Sequence, residues 1–312
     1  MENTLPELLA SRRKPVVQVL LATYNGEAYL QDFLDSLSQQ SDIEISLLVS
    51  DDGSTDRTIE ILKSNEILFS ELSIFSGPKL GPSANFFYLI DEANADFVAL
   101  ADQDDIWHKD HLKNSLSRLE GARGPAISFS AVSEFTSDKK SMATWPKKFP
   151  NGNIFAVFAE NYARGCTIVF NREALALVQR KHPKYAIMHD WWLLIVMTCV
   201  GEVVWTNKPE IDYRIHSANA IGPTPKTGVR CRRYISTLKN RTWAPILQVR
   251  EVYDFYGQYS SSQNIKLLRN WLERSDKQDM KSRFLASLVP HRLRSDLMSD
   301  ILIRLSIFVN RG

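Results

Sequence analysis

The chain has little cysteine and no pairing pattern for what it has. Cys166, Cys199 and Cys231 are its three cysteines, odd in number, widely spaced and without a Cys-x-x-Cys pair. This argues against a disulfide framework or a zinc site and favours a reducing compartment. A Gly-x-Gly-x-x-Gly turn is missing after the first apolar run, where Thr23-Tyr24-Asn25-Gly26-Glu27 stands instead, so a Rossmann dehydrogenase is disfavoured. No Gly-x-x-x-x-Gly-Lys-Ser/Thr loop occurs, which disfavours a P-loop NTPase. The N-terminus lacks the long apolar core of a signal peptide. The most apolar stretch, Ile187 to Trp205, is interrupted by His189, Asp190 and Glu202 and reads as a buried element, not a membrane span. There is no internal repeat and no long low-complexity segment, and no nucleic-acid partner is expected.

What is present describes a globular chain of two characters. Hydrophobic residues make up 44% of the 312, enough to bury a sizeable core in one large domain or two modest ones. The formal net charge of +2 conceals an asymmetry: Val229 to Gly312 holds 16 Lys plus Arg against 7 Asp plus Glu, a net of +9, which leaves −7 for the remainder. An acidic front and a basic tail point to different partners.

Apolar runs and helical spacings alternate through the first hundred residues. Strands are predicted at Val16–Leu21, Ile45–Val49, Leu72–Phe75 and Phe97–Ala101. Helices are predicted at Tyr29–Leu37, at Ile59–Leu68 with Asp56 near its start, and at Asn85–Ala93. This is the pattern of an α/β fold with a mostly parallel sheet flanked by helices. A further helix is expected through Leu112, Leu116 and Leu119, a strand over Ala126–Val132, a loop over Ser133–Asn153 around Pro146 and Pro150, and a mainly helical region past Pro225.

In parallel sheets, ligands bind outside the carboxyl ends of the strands. Three predicted strand ends carry polar clusters: Thr23-Tyr24-Asn25, Asp51-Asp52 and Asp102-Gln103-Asp104-Asp105. The last has three carboxylates in four residues, suited to a hard divalent cation whose other positions are filled by phosphate oxygens. Asp104 is the expected direct ligand, Asp102 lies near the sugar or the metal, and Asp105 is a candidate cap for a helix beginning near Trp107. Asp52 is assigned to a nucleobase N–H, and Asp56 to a structural role.

Leu21-Ala22-Thr23-Tyr24-Asn25-Gly26-Glu27, Val49-Ser50-Asp51-Asp52-Gly53-Ser54-Thr55-Asp56 and Ala101-Asp102-Gln103-Asp104-Asp105 resemble, in order and spacing, the signatures of family 2 glycosyltransferases. The resemblance reaches to about residue 220. It implies a GT-A fold, a nucleotide-diphosphate sugar donor, Mg²⁺ or Mn²⁺, and inversion at the anomeric carbon. It places Thr23, Tyr24, Asn25 and Glu27 along the nucleotide pocket with Asp52. The corresponding division is a transferase domain over 1–225, with a nucleotide-sugar half over about 14–110 and an acceptor half over about 111–225, followed by a basic helical region over 226–312.

Inverting transfer needs a base for the acceptor hydroxyl. Asp190, set among Trp191, Trp192 and Leu193, suits this because desolvation raises a carboxyl pKa toward the working range, and it falls where the resembled family places its base. His189 and Trp191 are the expected acceptor contacts. Arg214 and His216 are two apart and share a face of an extended segment, Arg214 for the diphosphate and His216 for metal or phosphate. Arg164 is assigned to donor phosphate or acceptor. Tyr213-Arg214-x-His216-x-x-Asn219 resembles rhamnosyltransferase-like members, which implies dTDP-L-rhamnose or a similar donor and a glycan or lipid-linked glycan acceptor of bacterial surface polysaccharide assembly. The rival readings are a nucleotidyltransferase of sugar-nucleotide metabolism and a non-catalytic sugar-binding module on a degenerate core. The expected location is cytoplasmic, with contact at the inner face of the plasma membrane through the basic, apolar-ended tail; packing of that tail on the core or on another subunit is the alternative.

Overall fold

A computed structural model describes residues 14–136, 141–150, 153–216, 244–258, 262–277, 279–289, 293–294 and 297–309. Four strands, β1 (Val16–Thr23), β2 (Glu44–Asp51), β3 (Glu71–Ser76) and β4 (Phe97–Asp102), pair in parallel in the order β3-β2-β1-β4. Their helices are α1 (Leu30–Ser38), α2 (Thr58–Ser64) and α3 (Pro82–Glu92). The sheet continues through β5 (Ile106–Trp107), β6 (Ala126–Thr136), β7 (Ser141–Trp145), β8 (Val169–Asn171) and β9 (Glu202–Ile215), in the full order β3-β2-β1-β4-β8-β6-β9-β5 with β7 on β6. The remaining helices are α4 (His111–Leu119), α5 (Ile154–Ala159), α6 (Arg172–Val178), α7 (His189–Val200), α8 (Ala244–Tyr256), α9 (Gln263–Ser275), α10 (Met280–Ser287) and α11 (Leu297–Val309).

The central strands are apolar on both faces because both are covered. Alternate residues go to opposite layers. Val19 and Leu21 of β1, Leu47 and Val49 of β2, and Ala99 and Ala101 of β4 pack toward Leu30, Phe33 and Leu34 of α1 and Leu112 of α4. Leu20, Leu48, Val98 and Leu100 face the other layer with Phe86, Leu89 and Trp192. α7 is the middle of that second layer. Every residue from His189 to Cys199 is buried, as expected of a helix apolar all round. α8 and α9 close over it: Trp192 meets Phe255 edge-on at 6.0 Å, and Trp271 lies 5.0 Å from Phe158 of α5. The basic region therefore shares one core with the sheet, and the expected boundary near residue 225 lies outside the described residues.

Three sequence expectations change. The Ser133–Asn153 loop is instead the end of β6 and all of β7, because β9 offers β6 parallel partners out to Thr136↔Ile215 and β7 takes its other edge; Pro146 and Pro150 follow the pairing and do not interrupt it. The Ile59–Leu68 helix splits into α2 and a 3₁₀ turn at Glu66–Leu68, where the Asn65 amide donates to the Ile61 carbonyl at 2.9 Å and competes with the helix ladder. No helix begins at Trp107, which pairs with Ile211 as a strand, so Asp105 is not its cap.

β9 is anchored by Glu210. Its carboxylate takes both Arg118 amines at 2.9 and 2.7 Å, the Asn114 amide at 3.0 Å, and faces His111 Nδ1 at 3.4 Å. Burial opposes its ionisation, but the His111 and Arg118 hydrogen bonds outweigh that and hold it down at about 2. The stability this contributes is present above the ordinary glutamate range and is lost as pH falls toward 2. Glu210→Ala should leave the half-buried Arg118 guanidinium without its carboxylate and cost about 3 kcal/mol. Urea denaturation at pH 7 checks this, and a loss below about 1 kcal/mol would show that the pair does not anchor the strand.

Candidate active site

The parallel register sets the floor of the site. Thr23 pairs with Asp51, and Ala22 pairs with Asp102, so three polar strand ends lie side by side. A cavity of about 810 Å³ opens above them, lined in part by Thr23, Tyr24, Asn25, Asp52, Asp102 and Asp104. The two adjacent aspartates of the second strand end divide their work. Asp51 takes the Thr23 hydroxyl at 2.8 Å and the Gly53 and Ser54 N–H groups at 3.0 and 2.7 Å, so it holds the turn. Asp52 lines the cavity, oriented by the N–H groups of Lys79 and Gly81 at 3.0 and 3.1 Å.

Asn25 adopts φ 46°, a left-handed conformation that Asn tolerates better than most residues. Its amide oxygen receives the Thr55 N–H at 2.9 Å. Glu27 is a correction. Its carboxylate accepts the Arg57 N–H at 3.0 Å and its own N–H reaches Asp56 at 3.0 Å, so it splices two loops and does not line the cavity. Asp56 is structural, as expected, accepting the Thr58 N–H near the start of α2. Gln103 was missed: its amide clips both backbone groups of Tyr24 at 3.0 Å and joins the ends of β1 and β4. Tyr24 itself stays exposed at the cavity wall.

The acidic cluster also divides. Asp104 lines the cavity and meets His216 Nε2 at 2.7 Å, which brings together the two residues expected to hold a metal. Asp102 lines the cavity beside it, and burial, Asp104 and Asp190 together push its pKa up to about 7. Asp105 is fully buried, accepts the Arg214 N–H at 3.0 Å and takes the Cys166 thiol. Burial and the neighbouring aspartates raise both Asp105 and that thiol well above their usual values. Although Asp102, Asp105 and Cys166 place ligand atoms within 4.8 Å of one another, a protonated thiol is a poor metal ligand.

Arg214 is the second correction. Its Nε donates to the Asp104 carbonyl at 2.8 Å and its amine to Asp32 at 3.0 Å, between the rings of Tyr29 and Phe135 at 4.7 and 4.8 Å. It fixes the loop that carries Asp104 and is not part of the cavity lining.

The opposite wall is the first turn of α7. Asp190 lines the cavity, and burial raises its pKa to about 6 against the Trp191 N–H, the Asn161 amide and the Arg164 charge, which all lower it. His189 stacks on Phe86 at 4.0 Å, and both its ring nitrogens are buried without a partner among the described residues. A Cβ on Gly165 would stand 2.7 Å from His189 Nε2, so a glycine there leaves the imidazole room. Trp191 is the third correction: its indole N–H donates to the Val157 carbonyl at 2.7 Å, turned into the core because a buried indole must find an acceptor. Arg164 lies between the rings of Trp145 and Tyr213 at 4.5 and 4.7 Å, paired with Glu134 at 3.2 Å, and lines the cavity.

Residues 18–181 match the family model described as Glycosyl transferase family 2. The chain belongs to glycosyltransferase family 2. The transferase is 32% identical over 216 residues to the dTDP-rhamnosyl transferase RfbG of Shigella flexneri, covering 65% of this chain and 73% of the relative. It is 29% identical over 212 residues to the amylovoran biosynthesis glycosyltransferase AmsB of Erwinia amylovora, 63% of this chain and 69% of the relative. Its fold matches the structure of Staphylococcus aureus TarS 1–349 in complex with UDP-GlcNAc, with a TM-score of 0.53 at 16% identity over 95% of this chain and 89% of that one. The fold is GT-A.

Phe86, Met188, Lys79 and Tyr213 also line the cavity and were not foreseen. Phe86 sits in an apolar helical run that reads as core, and nothing local marks it. Because burial holds His189 down at about 3, it should stay neutral throughout the working range. Its imidazole NMR shifts should be constant between about pH 8 and pH 5, and a midpoint near the ordinary histidine value would refute its burial in an apolar wall.

Proposed function

We propose that the transferase moves a sugar, with inversion and with the help of a divalent cation, from a nucleotide-diphosphate donor to a hydroxyl of a glycan or lipid-linked glycan. The observation that carries this reading is one cavity with Asp104 and His216 on one wall and Asp190 on another. L-Rhamnose from dTDP-L-rhamnose is the donor we favour, supported by the kinship with RfbG and by the Tyr213-Arg214-x-His216 segment.

The residues fit a cation. A carboxylate and an imidazole in contact make a donor set that suits Mn²⁺ well and Mg²⁺ through its oxygens. Asp102, raised by burial and then by its acidic neighbours, gains from any positive charge placed among them. Asp104 and His216 would hold the ion, and when bound it neutralises charge growing on the departing diphosphate.

The chain's own groups do the rest. Asp52 and Tyr24 take the base side, the first by accepting an N–H and the second by stacking. Thr23 and Asn25 shape the floor of that side. Asp102 and Arg164 face the sugar diphosphate. Asp190 receives the acceptor proton as the hydroxyl attacks from the face opposite the leaving group, and His189 offers its unpartnered nitrogens to the acceptor.

Asp190→Asn should retain donor binding by calorimetry and lose transfer by about a hundredfold or more. A base must be ionised, so kcat/KM for the wild type should fall as pH drops through about 6, where Asp190 titrates. Full transfer by Asp190→Asn would remove it as the base. Chelation should abolish transfer, and Mn²⁺ should restore it in the wild type and not in Asp104→Ala. The released product should be a nucleoside diphosphate; pyrophosphate would instead indicate nucleotidyl transfer. Among donors tested by thermal shift with Mn²⁺, dTDP-L-rhamnose should give the largest rise, and a larger rise with UDP-GlcNAc would overturn the sugar assignment.

A further inference from the structure

The last two helices carry an apolar face that the other described residues do not cover. On α10 and the residue after it, Met280, Phe284 and Leu288 recur every four residues. On α11, Leu297, Ile301 and Leu305 do the same. Four residues advance a helix by slightly more than a turn, so each trio forms one stripe. All six side chains are between 44% and 71% exposed. Phe284 meets Phe308 edge-on at 6.4 Å, which brings the two stripes together. The opposite sides are buried, with Ala286 and Val289 below the first and Ile303 and Ile307 below the second. These helices are thus packed by one face and apolar on the other, an area of a kind that soluble monomers rarely leave bare.

The exposed charges around the face are mixed with a basic excess. Arg274, Lys277 and Lys281 are exposed, against exposed Glu273 and Asp279. Asp276 pairs with Arg250, Asp279 also caps α10 by accepting the Ser282 N–H at 2.7 Å, and buried Asp300 takes Arg304 Nε at 2.8 Å. From Ala244 to Val309 the sequence holds 10 Lys plus Arg against 7 Asp plus Glu, a net of +3. Such a face opposed to a second copy of itself would set like charges together. Opposed to an anionic lipid surface it would bury the stripes among acyl chains while the lysines reach the headgroups. The helices are 8 and 13 residues long, too short to cross a bilayer.

We propose that α10 and α11 form an interfacial anchor that lays the transferase on an anionic membrane. This inference does not depend on which sugar is moved. The test is flotation of the full chain with vesicles of phosphatidylglycerol and phosphatidylethanolamine, and with vesicles of phosphatidylcholine alone. The wild type should float with the anionic vesicles at least about tenfold better than with the neutral ones, and high salt should narrow the gap. Phe284→Ser/Ile301→Ser should lose at least about tenfold of that binding, with the circular dichroism spectrum unchanged. Lys277→Glu/Lys281→Glu leaves the stripes intact and should also lose binding to anionic vesicles, which keeps the test open if the first variant misfolds. Three results would overturn the proposal: a wild type that stays with the load, equal flotation of the wild type and a folded variant, or a wild-type dimer in sedimentation that the serine variant dissociates.

Discussion

The burial of several carboxylates around one cavity is the constraint around which this molecule is built. Asp102, Asp104 and Asp105 leave one strand end within four residues, and α7 brings Asp190 to the same cavity. Burial raises Asp190 to about 6, and burial together with neighbouring aspartates raises Asp102 to about 7 and pushes Asp105 well above its usual range. A chain gathers such groups only where the surrounding structure over-determines their positions.

The supports are two arginines that the cavity needs in different ways. Arg214 is held between Tyr29 and Phe135 and grips the Asp104 carbonyl, while its backbone N–H serves Asp105. Arg164 is held between Trp145 and Tyr213 and faces the cavity, where its charge favours ionised Asp102 and Asp190. Both depend on β9, whose long parallel pairing with β6 carries Tyr213 and Arg214 to the ends of the parallel strands. Glu210, four residues earlier on that strand, ties it to α4. The site's electrostatics and the sheet's second half are therefore one problem.

Much of the site was legible because parallel strands deliver their C-terminal residues to one edge. That rule alone collected Thr23, Asp52, Asp102 and Asp104. Asp190 was legible from its apolar setting, and His216 from the Tyr213-Arg214-x-His216 segment that carries the family resemblance. The failures share a cause. Glu27, Trp191 and Arg214 stand beside true lining residues in sequence, but each has a backbone or charged partner on another element that turns it away. Phe86 and Gln103 entered the site through α3 packing on α7 and through a clip between two loops, contacts between residues far apart in the chain. The β6–β7 hairpin was hidden because a loop-like composition does not reveal that an open strand edge is available to pair with.

The sequence by itself determined the α/β alternation, the carboxylate-bearing strand ends and the family, since these follow from local periodicity and from motifs within a few residues. Tertiary structure alone decided which arginine enters the cavity, where Glu27 and Trp191 turn and which side of the last helices stays bare. Those choices rest on where a buried polar group finds its partner and on which apolar stripe another element covers. Neither is encoded in the neighbouring residues, because both partners arrive from distant parts of the chain.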